Sequence, residues 1–368
     1  MVQVQNTVLM TEVGRCDQQW TRAVISKDGQ IYASFPRWHS DGYVQISVGR
    51  LTPPSKVDPY PDESWNSWKR GMPTVRQGLP AGMKFVCVQS VFLDDQEMLW
   101  VLDSANPSDL NSGGHGQVLP GGPRLFKFDT ASDSLADVYL FSPETYFPRS
   151  YFNDVRIDTK RNKAFITDSG RGGLVVLDLA TGNSWRLLDQ RDSVNAEAVE
   201  LSIEGAAWLN RNGKLPSVHS DGLDLSPDRE YLYYQALTGR TLYRVPTKVL
   251  VGGPAPPEAV EQHVVKVGET GAADGIHFGA DGHLYLTALE ENAINRLAQP
   301  YDPGGAVEDG RVERVIGSDR LKWPDSITVG PDDSLYVTTS RIHLAGPSAP
   351  PPGPFQLFRL QFCEQAMF

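Results

Sequence analysis

The chain has 368 residues, 40% hydrophobic and 21% charged, with 34 glycines and 27 prolines, the balance of a turn-rich globular protein rather than a disordered one. A formal net charge of −11 without a basic cluster argues against nucleic acid or anionic membrane as the main partner, since phosphate binding needs a local excess of Lys and Arg. No stretch approaches the ~18 apolar residues that cross a bilayer.

The N-terminus MVQVQNTVLM has no basic start and no long apolar run, so the chain as it stands reads as cytoplasmic; a leader removed ahead of it would make it secreted. Cys16, Cys87 and Cys363 match no zinc spacing and no disulfide framework. Two readings stay open for them: free thiols in a reducing compartment, or one disulfide such as Cys16 to Cys87.

Along the chain, an acidic or glycine turn followed by a β-rich strand recurs six times, at Asp28, Asp94, Asp158, Asp228, Asp281 and Asp332. The spacings are 66, 64, 70, 53 and 51 residues, each enough for a four-stranded antiparallel meander plus loops. The clearest copy, 152–189, reads as strands Val155 to Asp158, Lys163 to Thr167, Leu174 to Leu177 and Trp185 to Leu188, linked by polar turns. Third strands are expected at Tyr43 to Val48, Arg124 to Phe128, Leu174 to Leu177, Thr241 to Val245, Ala293 to Leu297 and Phe355 to Leu360. The last copy lacks an outer strand, and Thr7 to Val13 has nothing else to pair with. Pairing the two closes a ring and removes exposed edges.

The fold class is therefore all-β: one domain over 1–368, a six-bladed propeller. Its blades fall at about 17–83, 84–141, 151–189, 219–268, 272–316 and 322–362 plus 6–13. The repeated turns lie on one face. The opposite face carries the starts of the innermost strands and the long insertions Ser104 to Pro123, Ser142 to Tyr151, Gln190 to His219 and Arg341 to Pro354, so a binding site belongs there. A short helix is expected within Ser193 to Ala207, and Thr52 to Met83, with Trp65 and Trp68, reads as a packed strap.

An ordered set of motifs then resembles a known family: Leu99-Trp-Val-Leu-Asp103, Phe152-Asn-Asp-Val, Ile166-Thr-Asp-Ser-Gly170, Ser220-Asp-Gly-Leu, Leu242-Tyr-Arg-Val-Pro246, Ala273-Asp-Gly-Ile and Trp323-Pro-Asp-Ser. It is similar to the major royal jelly protein and insect yellow family in its shorter microbial form. The resemblance implies a six-bladed propeller with a small aromatic or terpenoid-like ligand at the central mouth. It leaves activity open between amine binding, nutritive roles, dopachrome-type isomerisation and hetero-Diels–Alder cyclisation. The inner-strand starts also resemble calcium-dependent lactonases of the senescence-marker and gluconolactonase type. There Asn153, Asp221 and Asp274 would hold calcium with waters. Asp221 stands where those enzymes have Asn, and their Glu has no counterpart: Gln18-Gln19-Trp20 and Gln89-Ser90 occupy its places.

The candidate site follows from these placements. Asp154, Asp221 and Asp274 would move protons with His219 or His39, and Arg37 or Arg341 would stabilise oxyanion charge. Tyr151, Phe152, Asn153, Trp38, Trp323, Asp325, Ser169 and Glu290 would bind substrate, aromatic walls with a few polar groups suiting a planar phenol or amine. Converging carboxylates without a cation would raise at least one pKa toward neutrality. For Asp154 and Asp325 the alternative is capping of local backbone; His277 reads as structural and His115 as exposed. The Gly113 to Gly116 and Gly170 to Gly173 clusters lack the strand-to-helix context of nucleotide binding. Three readings result: a cofactor-free isomerase or cyclase of secondary metabolism acting on a phenolic or quinone-like substrate, a calcium-dependent lactonase or related hydrolase, and a non-catalytic binder of amines or phenols.

Overall fold

A computed structural model describes residues 4–39, 41–74, 83–107, 116–210, 212–299, 301, 311–345 and 350–366, with backbone alone at 4–6 and 364–366. His115, with Gly113 and Gly114, lies outside the described residues, as do parts of the long insertions.

Six four-stranded antiparallel sheets are arranged as a six-bladed propeller. Blade 1 is Arg22–Ile25, Ile31–Ser34, Val48–Thr52 and Lys56–Pro59. Blade 2 is Val88–Leu93, Met98–Asp103, Arg124–Asp129 and Ser134–Leu140. Blade 3 is Phe152–Asp158, Lys163–Asp168, Leu174–Asp178 and Ser184–Leu187. Blade 4 is Ser220–Leu225, Tyr231–Ala236, Thr241–Pro246 and Val265–Glu269. Blade 5 is Ile276–Phe278, Leu284–Ala288, Ala293–Leu297 and Val312–Gly317. Blade 6 is Pro324–Val329, Leu335–Thr339 and Phe355–Ala366, completed by the N-terminal strand Val4–Cys16.

Period-two alternation explains why these strands read as apolar runs rather than one-sided stripes. In blade 3, Phe165 packs with Leu223, Leu232 and Tyr234 of blade 4. Its neighbours Ala164 and Ile166 face Trp100, Leu102 and Leu125 of blade 2. Both faces of a blade are thus buried, and the same division is repeated at each blade interface. Consecutive inner strands touch around the ring, blade 6 against blade 1 included.

Two local expectations are corrected. The third strand of blade 1 is Val48–Thr52, not Tyr43 to Val48. Asn66 Oδ1 accepts from the amides of Ser47 and Val48 at 2.7 and 3.0 Å, which stops the preceding stretch from entering the sheet. The segment 193–207 forms no α-helix beyond a single tight turn at Asp192–Val194. It carries instead a hairpin, Ser202–Ile203 paired with Ala206–Ala207. Glu204 and Gly205 both have positive φ, 51° and 80°, the two-residue turn that suits hairpin twist. All three cysteines are free thiols. Among the described residues no helix is long and apolar enough to cross a membrane.

Candidate functional site

The inner strands carry the site because their first residues leave regular pairing. Register shifts fall between Val88 and Ser90, Phe152 and Val155, Ser220 and Leu223, and Pro324 and Ile327. Such bulges re-aim side chains, and they coincide with Gln89, Asn153-Asp154, Asp221-Gly222 and Asp325-Ser326. The glycine of each Asp-Gly pair has a steric reason. A Cβ on Gly222 would lie 2.5 Å from the Asp274 carbonyl oxygen, and one on Gly275 would lie 2.5 Å from that of Asp325. Adjacent inner strands therefore approach closely, and the side chains of Asp221, Asp274 and Asp325 converge.

Below them lies a buried ion network. Arg156 Nε donates to Asp224 Oδ1 at 2.6 Å and its Nη1 to both oxygens of Asp154 at 3.0 Å. Arg22 also donates to Asp154, and His277 Nδ1 is 3.0 Å from Asp224 Oδ2. Burial alone would raise the Asp154 pKa, but Arg156 and Arg22 outweigh it and hold the carboxyl below its usual range. Asp224 is held low in the same way, His277 and Arg156 overcoming burial.

Those cations are engaged by Asp154 and Asp224, and the remaining carboxyls behave oppositely. Burial, then the charges of Asp274 and Asp325, pushes Asp221 well above the carboxylate range. Burial and Asp274 do the same to Asp325, against the lowering effect of Ser340. Asp274 is pushed up to about 7 by burial, against the lowering effect of a 2.7 Å bond from Trp323 Nε1.

A line of hydrogen bonds approaches this cluster from the mouth. Trp38 Nε1 donates to Tyr151 Oη at 2.7 Å, which donates to Gln89 Oε1 at 2.7 Å. Gln89 Nε2 donates to Asn153 Oδ1 at 3.3 Å, and Asn153 Nδ2 donates to Asp221 Oδ2 at 2.7 Å and to Ser169 Oγ at 3.0 Å. Above lies an apolar plug. Leu201, Ile203 and Trp208 of the hairpin segment pack with Trp38, Tyr151 and Trp323, and the Trp208 and Trp323 rings meet edge to face at 4.8 Å. The aromatic walls are thus covered; Tyr151 and Trp323 are 0% exposed. Glu204 at the hairpin tip accepts from Lys322 at 2.6 Å and pairs with His343 Nε2 at 2.9 Å, while the His343 ring stacks on Trp323.

Other sequence candidates stand apart. Phe152 packs against Phe141 in the interface of blades 2 and 3. The Arg37 guanidinium donates to the Val44 and Val86 carbonyls under Trp68, and His39 Nε2 pairs with Gln19 Oε1 at 3.0 Å. Arg341 donates to the Pro352 carbonyl. Glu290 binds Arg240 and accepts from the Ser202 amide, tethering the hairpin. His219 lines a separate cavity walled by the insertions around blade 3. Sequence reasoning missed Arg22, Arg156 and Asp224. The available signal was the opposite charge at i+2 from Asp154 in the inner strand FNDVRID, since a buried charge needs a partner.

Among the described residues no three His, Cys, Asp or Glu side chains form a metal-holding group, and oxygens of Asp221 and Asp274 already accept from Asn153 and Trp323.

Comparison with known proteins agrees with the fold. A dopaminechrome tautomerase of Drosophila melanogaster is 20% identical over 341 residues, covering 86% of this chain and 68% of the relative. Major royal jelly protein 7 of Apis mellifera is 25% identical over 202 residues, 53% of this chain and 40% of that one. A gluconolactonase structure from Xanthomonas campestris aligns with a TM-score of 0.52 at 12% identity, over 94% of this chain and 87% of its own, a likeness of fold. The family model described as major royal jelly protein matches residues 86–350, most of the chain, and the protein belongs to that family.

Proposed function

We propose that the protein is a cofactor-free isomerase or cyclase that moves protons on a small planar phenolic or quinone-like substrate in the central site. One observation carries this reading: among the described residues, three buried carboxyls on successive blades make no ion pair, and burial raises all three despite the lowering charge of Arg22, one of them to about 7. A carboxyl poised there is present in both forms at neutral pH, the condition for general acid–base catalysis. In a tautomerisation, Asp274 takes a proton from a carbon next to a carbonyl, and protonated Asp221 or Asp325 delivers one to the oxygen or far carbon of the conjugated system. Protons balance, and no electrons are exchanged with a cofactor. Trp323 and Asn153 orient the carboxyls, and the indole and phenol rings of Trp38, Tyr151 and Trp323 offer flat apolar walls. Substrate enters when the hairpin at 202–207 lifts. That a relative is a dopaminechrome tautomerase supports the class of reaction.

The same carboxyls would also attract an ammonium group, which favours amine binding as the second reading. Turnover separates the two. Wild type and Asp274→Asn are assayed against aminochromes, phenols and aromatic amines, following product and binding together. Isomerised product is expected, with kcat/KM controlled by a group titrating near 7 and reduced ~100-fold or more in the variant. Tight amine binding with no product across the panel would favour the binder. Activity abolished by chelator and restored by calcium would contradict the cofactor-free chemistry.

A further inference from the structure

A second cavity lies on the same face but off the axis, walled by Gln117, 147–149, 170–171, Gln190, Asn210 and 214–219, with a volume of about 760 Å³, within the range of small-molecule pockets. It is separated from the central carboxyls by Ser169, whose carbonyl accepts from the His219 amide and whose Oγ accepts from Asn153. In a chain with 45 acidic residues against 34 basic ones, the charged residues lining this cavity are Arg149, Arg171 and Lys214, with no Asp or Glu among its described walls.

Arg171 is already paired with Asp189 and lies over the Phe147 ring at 3.7 Å. Arg149 and Lys214 have no carboxylate partner among the described residues. His219 adds a neutral donor. Its Nδ1 accepts from the Ala196 amide at 3.0 Å, which leaves the proton on Nε2; burial and the nearby Arg186 and Arg149 lower its pKa despite Asp168. The rest of the wall combines apolar Phe147, Pro148, Leu215 and Pro216, with Leu215 42% exposed, and uncharged polar Gln117, Gln190, Asn210 and Ser217.

We propose that this pocket binds a small amphipathic organic acid, its carboxylate held by Arg149, Lys214 and His219 and its apolar body laid against Leu215, Pro216 and Phe147. Lining cations without a carboxylate partner among the described residues favour an anion, and the apolar side chains favour an organic acid over a bare inorganic ion. The pocket needs none of the chemistry of the central carboxyls.

Calorimetric titration with 4-hydroxyphenylacetate, indole-3-acetate, their methyl esters and inorganic phosphate tests this. At least one acid is expected to bind ~tenfold or more tighter than its ester and than phosphate, with affinity falling as salt rises. The double variant Arg149→Gln, Lys214→Gln, both at solvent-facing positions and checked for an unchanged melting curve, should lose ~tenfold or more. Leu215→Asp should lose affinity for the acids while leaving the fold intact, and Asp274→Asn should leave it unchanged. Equal binding of acid and ester, phosphate binding as tight as the acid, an unaffected double variant, loss of binding in Asp274→Asn, or no binding of either acid at millimolar concentration would each overturn the proposal.

Discussion

Asp154 and Asp274 sit in the same buried centre and are driven in opposite directions by what faces them. Asp154 accepts from two guanidiniums, so its ionised form is favoured on folding. Asp274 is buried beside other carboxyls, and burial outweighs the Trp323 indole N–H and the charge of Arg22, so folding favours its protonated form. The signs of the stability effects differ accordingly. A depressed pKa contributes stability that is present above the unfolded value and is lost as pH falls through the folded one. A raised pKa contributes stability that is complete below the unfolded value and is lost as pH rises through the folded one. For Asp274 that window runs from the ordinary 3.8 to about 7. Asp274→Asn keeps an acceptor for Trp323 and removes the titration. Urea denaturation of the two proteins should therefore give similar stabilities near pH 4 and a more stable variant near pH 8. The gain is on the order of 1.4 kcal/mol for each tenfold by which folding weakens the Asp274 acid. A variant equally destabilised at both pH values would contradict this account of Asp274.

At the scale of elements, the inner strand and the hairpin decide what the centre can do. Gly222 stands where the Asp274 carbonyl leaves no room for a side chain, so Gly222→Ala should force blades 4 and 5 apart and cost ~1–3 kcal/mol by urea denaturation. An unchanged midpoint would show that the strands are not held so close. The hairpin is fastened at its tip by Glu204 to Lys322 and His343 and at its base by Glu290 to the Ser202 amide. Partly exposed ion pairs of this kind contribute ~1 kcal/mol. Glu204→Ala should accordingly speed hydrogen exchange severalfold at the amides of 201–208, where Trp208 N–H bonds the Leu201 carbonyl, and leave the blade strands unchanged. Unaltered protection there would mean that apolar packing alone holds the plug.

These elements differ in how far they could be read from the sequence. The aspartates at the inner-strand starts were legible because each sits at the same place in a repeat. The role of Asp154 was only half legible: Arg156 stands two residues on, but Arg22 is far away in sequence and meets it across the ring. The hairpin was hidden by length: two strands of two residues leave no periodicity, and only Glu204-Gly205 hints at a turn. The cap over the aromatic walls was hidden for the same reason, since Trp208 meets Trp323 only after the long insertion folds back. The third strand of blade 1 was misplaced because Asn66, a loop residue, sets where that strand begins.

At the scale of the whole molecule, ring closure creates the chemistry. The N-terminal strand pairs with Phe355–Ala366 from Val4↔Ala366 to Cys16↔Phe355, which fixes blade 6 against blade 1 and draws the inner strands around one axis. Repeat spacing made that closure readable, through an unpaired strand at each end of the chain. Closure also buries the axis, and burial is the first cause of the raised pKa at each of Asp221, Asp274 and Asp325. A protonated carboxyl at neutral pH in the sealed centre is the central claim, and infrared difference titration of the intact protein tests it most directly. Wild type minus Asp274→Asn should show a protonated carboxyl band that persists at pH 6 and is lost with a midpoint of about 7. Titration of every carboxyl band in that difference below about pH 5, the ordinary range for Asp and Glu, would contradict the account.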